Sequence, residues 1–93
     1  MAPQWNVSYF EFEGFEWNDE KAARNIQKHH IDFEDAIVIF TNHVVARTQF
    51  ENGEVRWQAL GLAYGRELFV VFTEVESYCR IISARRCTRA EAN

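Results

Sequence analysis

Residues 44–63, VVARTQFENGEVRWQALGLA, constrain the fold of this chain more than any other stretch. Two runs with extended character, VVARTQF (44–50) and VRWQALGLA (55–63), flank Glu51-Asn52-Gly53-Glu54. Asn-Gly accepts the positive φ that a two-residue hairpin loop requires, so the segment predicts an antiparallel hairpin. The pattern then continues. Tyr64-Gly65-Arg66 reads as the next turn, and ELFVVFTE (67–74), apolar on both faces, reads as a central covered strand. A turn around Glu76-Ser77 leads into YCRIISA (78–84) as a fourth strand, and TRAEAN (88–93) has room only for a helical stub.

Before Val44 the apolar period is helical. Asn18 is a good N-cap, Asp19 and Glu20 suit the positive end of the helix dipole, and the helix should run to about His30. Asp32 can cap a second helix, with Asp35 at the capping-box position and Phe33, Ala36, Ile37 and Phe40 at helical spacing; Asn42 should end it. YFEFEGFEW (9–17) alternates aromatics with glutamates, which predicts one or two short extended pieces broken at Gly14. The expected fold class is α+β, two N-terminal helices packed on a four-stranded antiparallel sheet. With no repeat, linker or composition break, 1–93 reads as a single domain, with 1–14 as a partly ordered extension.

A hydrophobic content of 47% and 15% aromatics exclude a disordered chain. No apolar run approaches the roughly 20 residues of a membrane helix, so no membrane partner is expected. MAPQWNVSYF lacks the charged start and apolar stretch of a secretory signal, so a cytoplasmic location is expected. Cys79 and Cys87, eight extended steps apart, would be separated by roughly 26 Å, too far for a disulfide. Neither thiol shows zinc-ligand spacing with His29, His30 or His43, so both read as structural, and no metal or cofactor is expected.

A net charge of −4 argues against a nucleic-acid partner on average, but a binding footprint depends on where charge sits. Seven of the ten Lys and Arg residues fall in two acid-free segments, KAARNIQKHH (21–30) and RIISARRCTR (80–89). In the first, Lys21, Asn25 and Lys28 recur at i, i+4 and i+7 with Arg24 bordering them, a stripe able to meet phosphates. A solvated helix face has the same pattern and is commoner. His29, at the helix end, is either a C-terminal cation or a proton-transfer group.

In the second segment, regular alternation puts Arg80, Ile82 and Ala84 on one face and Ile81, Ser83 and Arg85 on the other. Arg80 then reads as a strut paired with an acid, and Arg85, with Ser83, as a phosphate contact; Arg86 and Arg89 lie just beyond. Glu54 and Arg56 in GEVRW share a face, where a cross-strand ion pair is commoner than an acid–base pair. No Gly-rich phosphate loop, G-x-S-x-G, H-E-x-x-H or carboxylate cluster is present.

FEWNDEKAARNIQKHHIDFEDA (15–36), GEVRW (53–57), LFVVFTE (68–74) and RIISARRCT (80–88), in this order and spacing, closely resemble the BrnT family, ribonuclease halves of type II toxin–antitoxin modules. The resemblance implies a RelE-like fold and RNA cleavage that inhibits translation and growth. It also implies neutralisation by a BrnA-like ribbon-helix-helix antitoxin, in a heterotetramer that meets operator DNA only through the antitoxin. It singles out Lys21, Asn25, Lys28, His29, Glu54, Arg56, Arg80, Ser83 and Arg85. The mechanism to expect is metal-independent attack of the ribose 2′-OH on the adjacent phosphate. Arg85, with Lys21 or Lys28, would then meet the phosphate charge, and His29, or less favourably Glu54, would move the proton. Arg24, Asn25, Arg56, Arg80, Ser83, Arg86 and Arg89 would hold RNA.

The chain departs from the family pattern at Asn18, where Asp is usual, and at His30 and Asp32, where Gly and often Ser occur. Many relatives also continue into a longer C-terminal helix. Trp5 and Phe10, if exposed, would belong to the antitoxin interface. The rival readings are a basic-patch module that binds an acidic partner without cleavage, and a nucleic-acid-binding regulator; both leave RNA intact.

Overall fold

Three two-residue loops build the centre of the sheet, each with a residue at positive φ: Asn52 (51°) and Gly53 (80°), Tyr64 (53°) and Gly65 (78°), and Glu76 (58°). They join β3 (Val44–Glu51), β4 (Glu54–Ala63), β5 (Arg66–Val75) and β6 (Tyr78–Arg86) into the antiparallel meander expected from the Asn-Gly and Tyr-Gly signals. The structure, a computed structural model, describes residues 4–92. Ahead of the meander come β1 (Asn6–Ser8), β2 (Gly14–Glu16), helix α1 (Asp19–His29), a short α2 (Phe33–Ala36) and a 3-10 turn (Ile37–Thr41); α3 (Arg89–Ala92) follows it.

The expectation of two N-terminal helices on a four-stranded antiparallel, RelE-like sheet is overturned. The sheet has six strands in the order β1-β3-β4-β5-β6-β2, and it is mixed: β2 runs parallel to β6 while every other pair is antiparallel. Sheet dominates, and the helices are few and short. The physical reason is that β1 and β2, of three residues each, extend both edges of the meander by pairings distant in sequence. The two helices also do different things. α1 lies along β6 with Asn25 its only buried residue, and Ile26 is 42% exposed. The second expected helix is one turn of α-helix continued as 3-10, and it is this segment that covers the sheet.

Ile31, Phe33, Ala36, Ile39 and Phe40 pack against Val44, Ala46, Ala59, Leu68, Val70, Phe72, Cys79, Ile81 and Ala84 to form the core. Phe10, Phe12 and Phe15 close its margin, with Phe10 and Phe12 edge-on to Phe72 at 5.4 and 5.9 Å between ring centres. Edge-to-face pairs add about 0.5–1.5 kcal/mol each to simple burial, so the alternating aromatics of 9–17 wrap the core. Phe10 is therefore a core-margin residue and not a free interface aromatic. Both cysteines are free, and burial pushes both thiols up, which keeps them protonated.

On the core side of β4, Gly61 sits under the 3-10 turn. A Cβ there would fall 2.8 Å from Ile39 Cβ and 3.0 Å from Val44 Cγ1. Gly61→Ala is therefore expected to destabilise by about 1–3 kcal/mol, read as a lower urea midpoint at unchanged m-value, because neither neighbour is a flexible side-chain end. An unchanged midpoint would show that the turn has room to move.

Candidate nucleic-acid interface

One bulge decides which arginines stand together. Val71 pairs with Ser83 but Phe72 with Ile81, so Ile82 has no partner on β5. Past the bulge the alternation is reset. Arg80, Ser83 and Arg85 face Thr73, Val71 and Phe69, alternate residues of β5, and so share the face opposite Leu68, Val70 and Phe72. The expected separation of Arg80 from Arg85 is corrected accordingly. Arg47 and Gln58, paired across β3 and β4, lie on the same open face, with Arg47 Nε donating to Gln58 Oε1 at 2.7 Å.

Where β2 stops, Asn25 takes over. The β2 ladder reaches only Arg80, which leaves the outer edge of β6 without a strand from Ile81 onward. The Asn25 amide fills that gap: its Nδ2 donates to Ala84 O at 2.8 Å and to Ile31 O at 2.9 Å, and its Oδ1 accepts from Ala84 N–H at 3.1 Å. The side chain is 6% exposed with both amide hydrogens and its oxygen engaged. It ties α1 to the sheet and mimics a neighbouring strand, which blunts an open edge. It is thus an anchor, with both amide hydrogens committed to backbone carbonyls, and it also borders the cleft between α1 and β6.

On either side of this anchor, Lys21, Arg24, Lys28 and His29 line a small cleft of about 200 Å³ with Ile82 and Ser83. Lys21, Arg24 and Lys28 are exposed, and among the described residues none is in an ion pair. Asn18 caps the helix by accepting from Lys21 N–H at 3.0 Å, and His30 ends it in the left-handed conformation at φ 60°. That conformation costs a non-glycine residue about 1–2 kcal/mol, so the helix closes in the usual geometry despite the missing glycine. His29 is half-buried beside these cations. Burial first, then the charges of Lys28, Arg85 and His30, hold its pKa below the usual imidazole value. It is therefore uncharged at neutral pH.

Three sheet arginines, Arg56, Arg80 and Arg85, differ from the helix cations because each has an acid. Arg56 lies 3.0 Å from Glu54 and 3.6 Å from Glu51 at the β3–β4 hairpin, away from α1. Arg56 thus joins Glu54 within β4 and Glu51 across the hairpin, so the expected cross-strand ion pair forms with Glu51 and the Glu54 contact stays within one strand. Arg80 meets Glu16 of β2 at 3.4 Å, exposed rather than internal. Arg85 lies over the Phe69 ring at 4.2 Å and grips Glu91 of α3 through both terminal nitrogens at 2.8 Å. Arg86 and Arg89 are exposed.

Glu91, the partner of Arg85, is the residue of this site that sequence reasoning missed, although a signal existed. Thr88-Arg89-Ala90-Glu91 is a capping box, with Thr88 N–H donating to Glu91 Oε1 at 2.8 Å and Glu91 N–H to Thr88 Oγ1 at 3.3 Å. Its hydrogen bond to Arg85 pulls the Glu91 carboxyl down to about 2.

A family model described as "Ribonuclease toxin, BrnT, of type II toxin-antitoxin system" matches residues 17–91. The chain belongs to that family. It is accordingly a ribonuclease toxin of a type II toxin–antitoxin system, and such a system supplies an antitoxin partner. The matched span takes in α1, the meander and Glu91, while Trp5 and the aromatics before Trp17 lie outside it. The search of curated proteins returns no match. Among the described residues, no helix is long and apolar enough to cross a membrane.

Proposed function

We propose that the seam between α1 and β6 binds RNA and cleaves it by attack of the ribose 2′-OH on the adjacent phosphate. The observation that carries this reading is an uncharged His29 set among three cations, Lys21, Arg24 and Lys28, that form no ion pair among the described residues. RNA supplies phosphates for the cations, and His29 is the base that accepts the 2′-OH proton. Arg85 binds the scissile phosphate as it gains charge, and an ammonium of α1, Lys21 or Lys28, protonates the departing 5′-oxygen. Ser83 stands in the cleft as a hydroxyl partner for a phosphate or ribose oxygen. Arg56, Arg80, Arg86 and Arg89 steer the polyanion from farther out, and Glu54, already paired with Arg56, is the weaker alternative base. The nucleophile is intramolecular, so the step needs no metal-activated water. Cleavage of this kind inhibits translation.

The antitoxin is read as a BrnA-like ribbon-helix-helix dimer carrying two toxin copies, so that operator DNA is met only through the antitoxin.

Purified protein incubated with RNA in excess EDTA is expected to yield fragments with 2′,3′-cyclic phosphate ends. Cleavage should rise with pH as His29 loses its proton below pH 6.5 and be flat above, because the base must be neutral and its pKa is lowered. His29→Ala should cost about 10²–10⁴ in rate and abolish that acid limb. Loss of cleavage on chelation would overturn the metal-free step, and intact RNA throughout would favour a binding module.

A further inference from the structure

A second depression lies on the open face, and the seam does not use it. The chain before β1 lays Trp5 across this face, where Arg47 stands over its ring at 4.2 Å and Phe69 meets it edge-on at 6.2 Å. Between Trp5 and α3 runs a groove of about 670 Å³, floored by Val45 and Leu60 and walled by Arg47, Glu67 and Glu91. A flat aromatic wall, an aliphatic floor and a stacked guanidinium suit a planar base, the ligand that single-stranded RNA offers such surfaces. Phosphate does not suit the groove, because two carboxylates line it.

We propose that this groove is a guanine-binding subsite, with Trp5 the stacking surface and Glu67 the group that reads the base. The proposal rests on the ribonuclease reading for its RNA. Both oxygens of Glu91 are taken by Arg85, and Oε1 also accepts from Thr88 N–H. Glu67 is exposed and, among the described residues, in no ion pair. Its backbone is held by Cys87 N–H donating to Glu67 O at 2.9 Å, which fixes where the carboxylate starts from.

A carboxylate is acceptor-only, so it selects the base with two adjacent donors. Guanine has them, N1–H beside the N2 amino group. Adenine and cytosine each place a ring-nitrogen acceptor next to their amino group, and uracil sets its one N–H between two carbonyls. The subsite also adjoins the chemistry, because the Phe69 ring that touches Trp5 carries the Arg85 guanidinium at 4.2 Å. A guanine in the groove would therefore sit one ring away from the phosphate contact and decide which bond is cut.

The test titrates ¹⁵N-labelled protein with the 5′-monophosphates of guanosine, adenosine, cytidine and uridine. It follows the Trp5 indole N–H, assigned by its loss in Trp5→Phe, and maps cut sites on a mixed-sequence RNA. The expected result is that guanosine monophosphate binds about tenfold more tightly than the other three and shifts the Trp5 signal. That ratio should fall toward one in Glu67→Gln, an exposed position where the fold is not at stake, and cut sites beside guanine should lose their excess. Equal binding of the four nucleotides, or a guanine preference that survives Glu67→Gln, overturns the subsite. Intact RNA together with a Glu67-dependent guanine preference supports the subsite and removes the ribonuclease reading. Cleavage with no guanine bias and no nucleotide preference removes the subsite alone.

Discussion

Asn25→Leu is expected to remove most of the stability of this protein, even though the two side chains are close in size. The substitution deletes three hydrogen bonds and strands the N–H and C=O of Ala84 and the C=O of Ile31 in the α1–β6 seam. An unsatisfied buried polar group costs about 1–3 kcal/mol, so three such groups together cost on the order of 3–9 kcal/mol. A domain of this size has only about 5–15 kcal/mol to lose. In urea, the midpoint should fall by half or the cooperative transition disappear. Asn25→Asp separates hydrogen bonding from packing: it keeps the shape and the acceptor but points a second oxygen at the carbonyls of Ile31 and Ala84, so it should be as damaging. A loss below about 1 kcal/mol in either variant would show that the seam is held by something else. The same opening would expose the edge of β6 beyond Arg80, so aggregation at rising protein concentration is the expected companion of the lost stability.

The position of Asn25 also shows what was legible in the chain and what was not. Spacing correctly placed Lys21, Asn25 and Lys28 along one face of α1, because i, i+4 and i+7 is a local property of any helix. It was silent on what that face meets. The centre of the stripe is pressed to the strand edge, and the lysines on either side of it reach the cleft. The hairpins were legible for a similar reason, since Asn52-Gly53 and Tyr64-Gly65 state their turns within two residues. The pairing of β2 was not. The alternation in 9–17 marked extended chain, but nothing in it names the partner Tyr78–Arg80, more than sixty positions away. The bulge at Ile82 was hidden because Ile81 and Ile82 are both apolar, so either could be the inward residue. One unpaired isoleucine then moved Arg80 to the face of Arg85. The acids assigned to Arg80 and Arg85 were hidden too: Glu16 reaches Arg80 only through β2, and Glu91 reaches Arg85 only through a one-turn helix.

Arg85→Ala is expected to reduce RNA cleavage by about 10²–10³ while the sheet stays folded. The ion pair with Glu91 does not exclude a phosphate contact, as a count of donors shows. One terminal nitrogen of Arg85 donates to Glu91 Oε1 and to Arg86 O, at 2.8 and 3.1 Å, and the other to Glu91 Oε2 at 2.8 Å. A guanidinium has five N–H groups, so the Nε–H and one terminal hydrogen remain, side by side on the adjacent edge. That edge can grip a phosphate through two bonds, with Glu91 and the Phe69 ring holding the plane in place. Arg85→Lys keeps the charge but has no second edge, so it should recover little activity. Glu91 accordingly acts by positioning. Its carboxyl, near 2 in the folded protein against 4.5 ordinarily, stabilises the docked α3 above the ordinary value and loses that effect only as pH falls toward 2. The clamp is therefore complete above the ordinary carboxyl value of 4.5, and the acid limb of cleavage should be the same in Glu91→Gln as in the parent. A displaced limb would place Glu91 in the proton path. Folded Arg85→Ala retaining more than about a tenth of the activity would move the phosphate contact to Lys21, Arg24 and Lys28 of α1, because among the described residues those cations of the seam have no acid of their own.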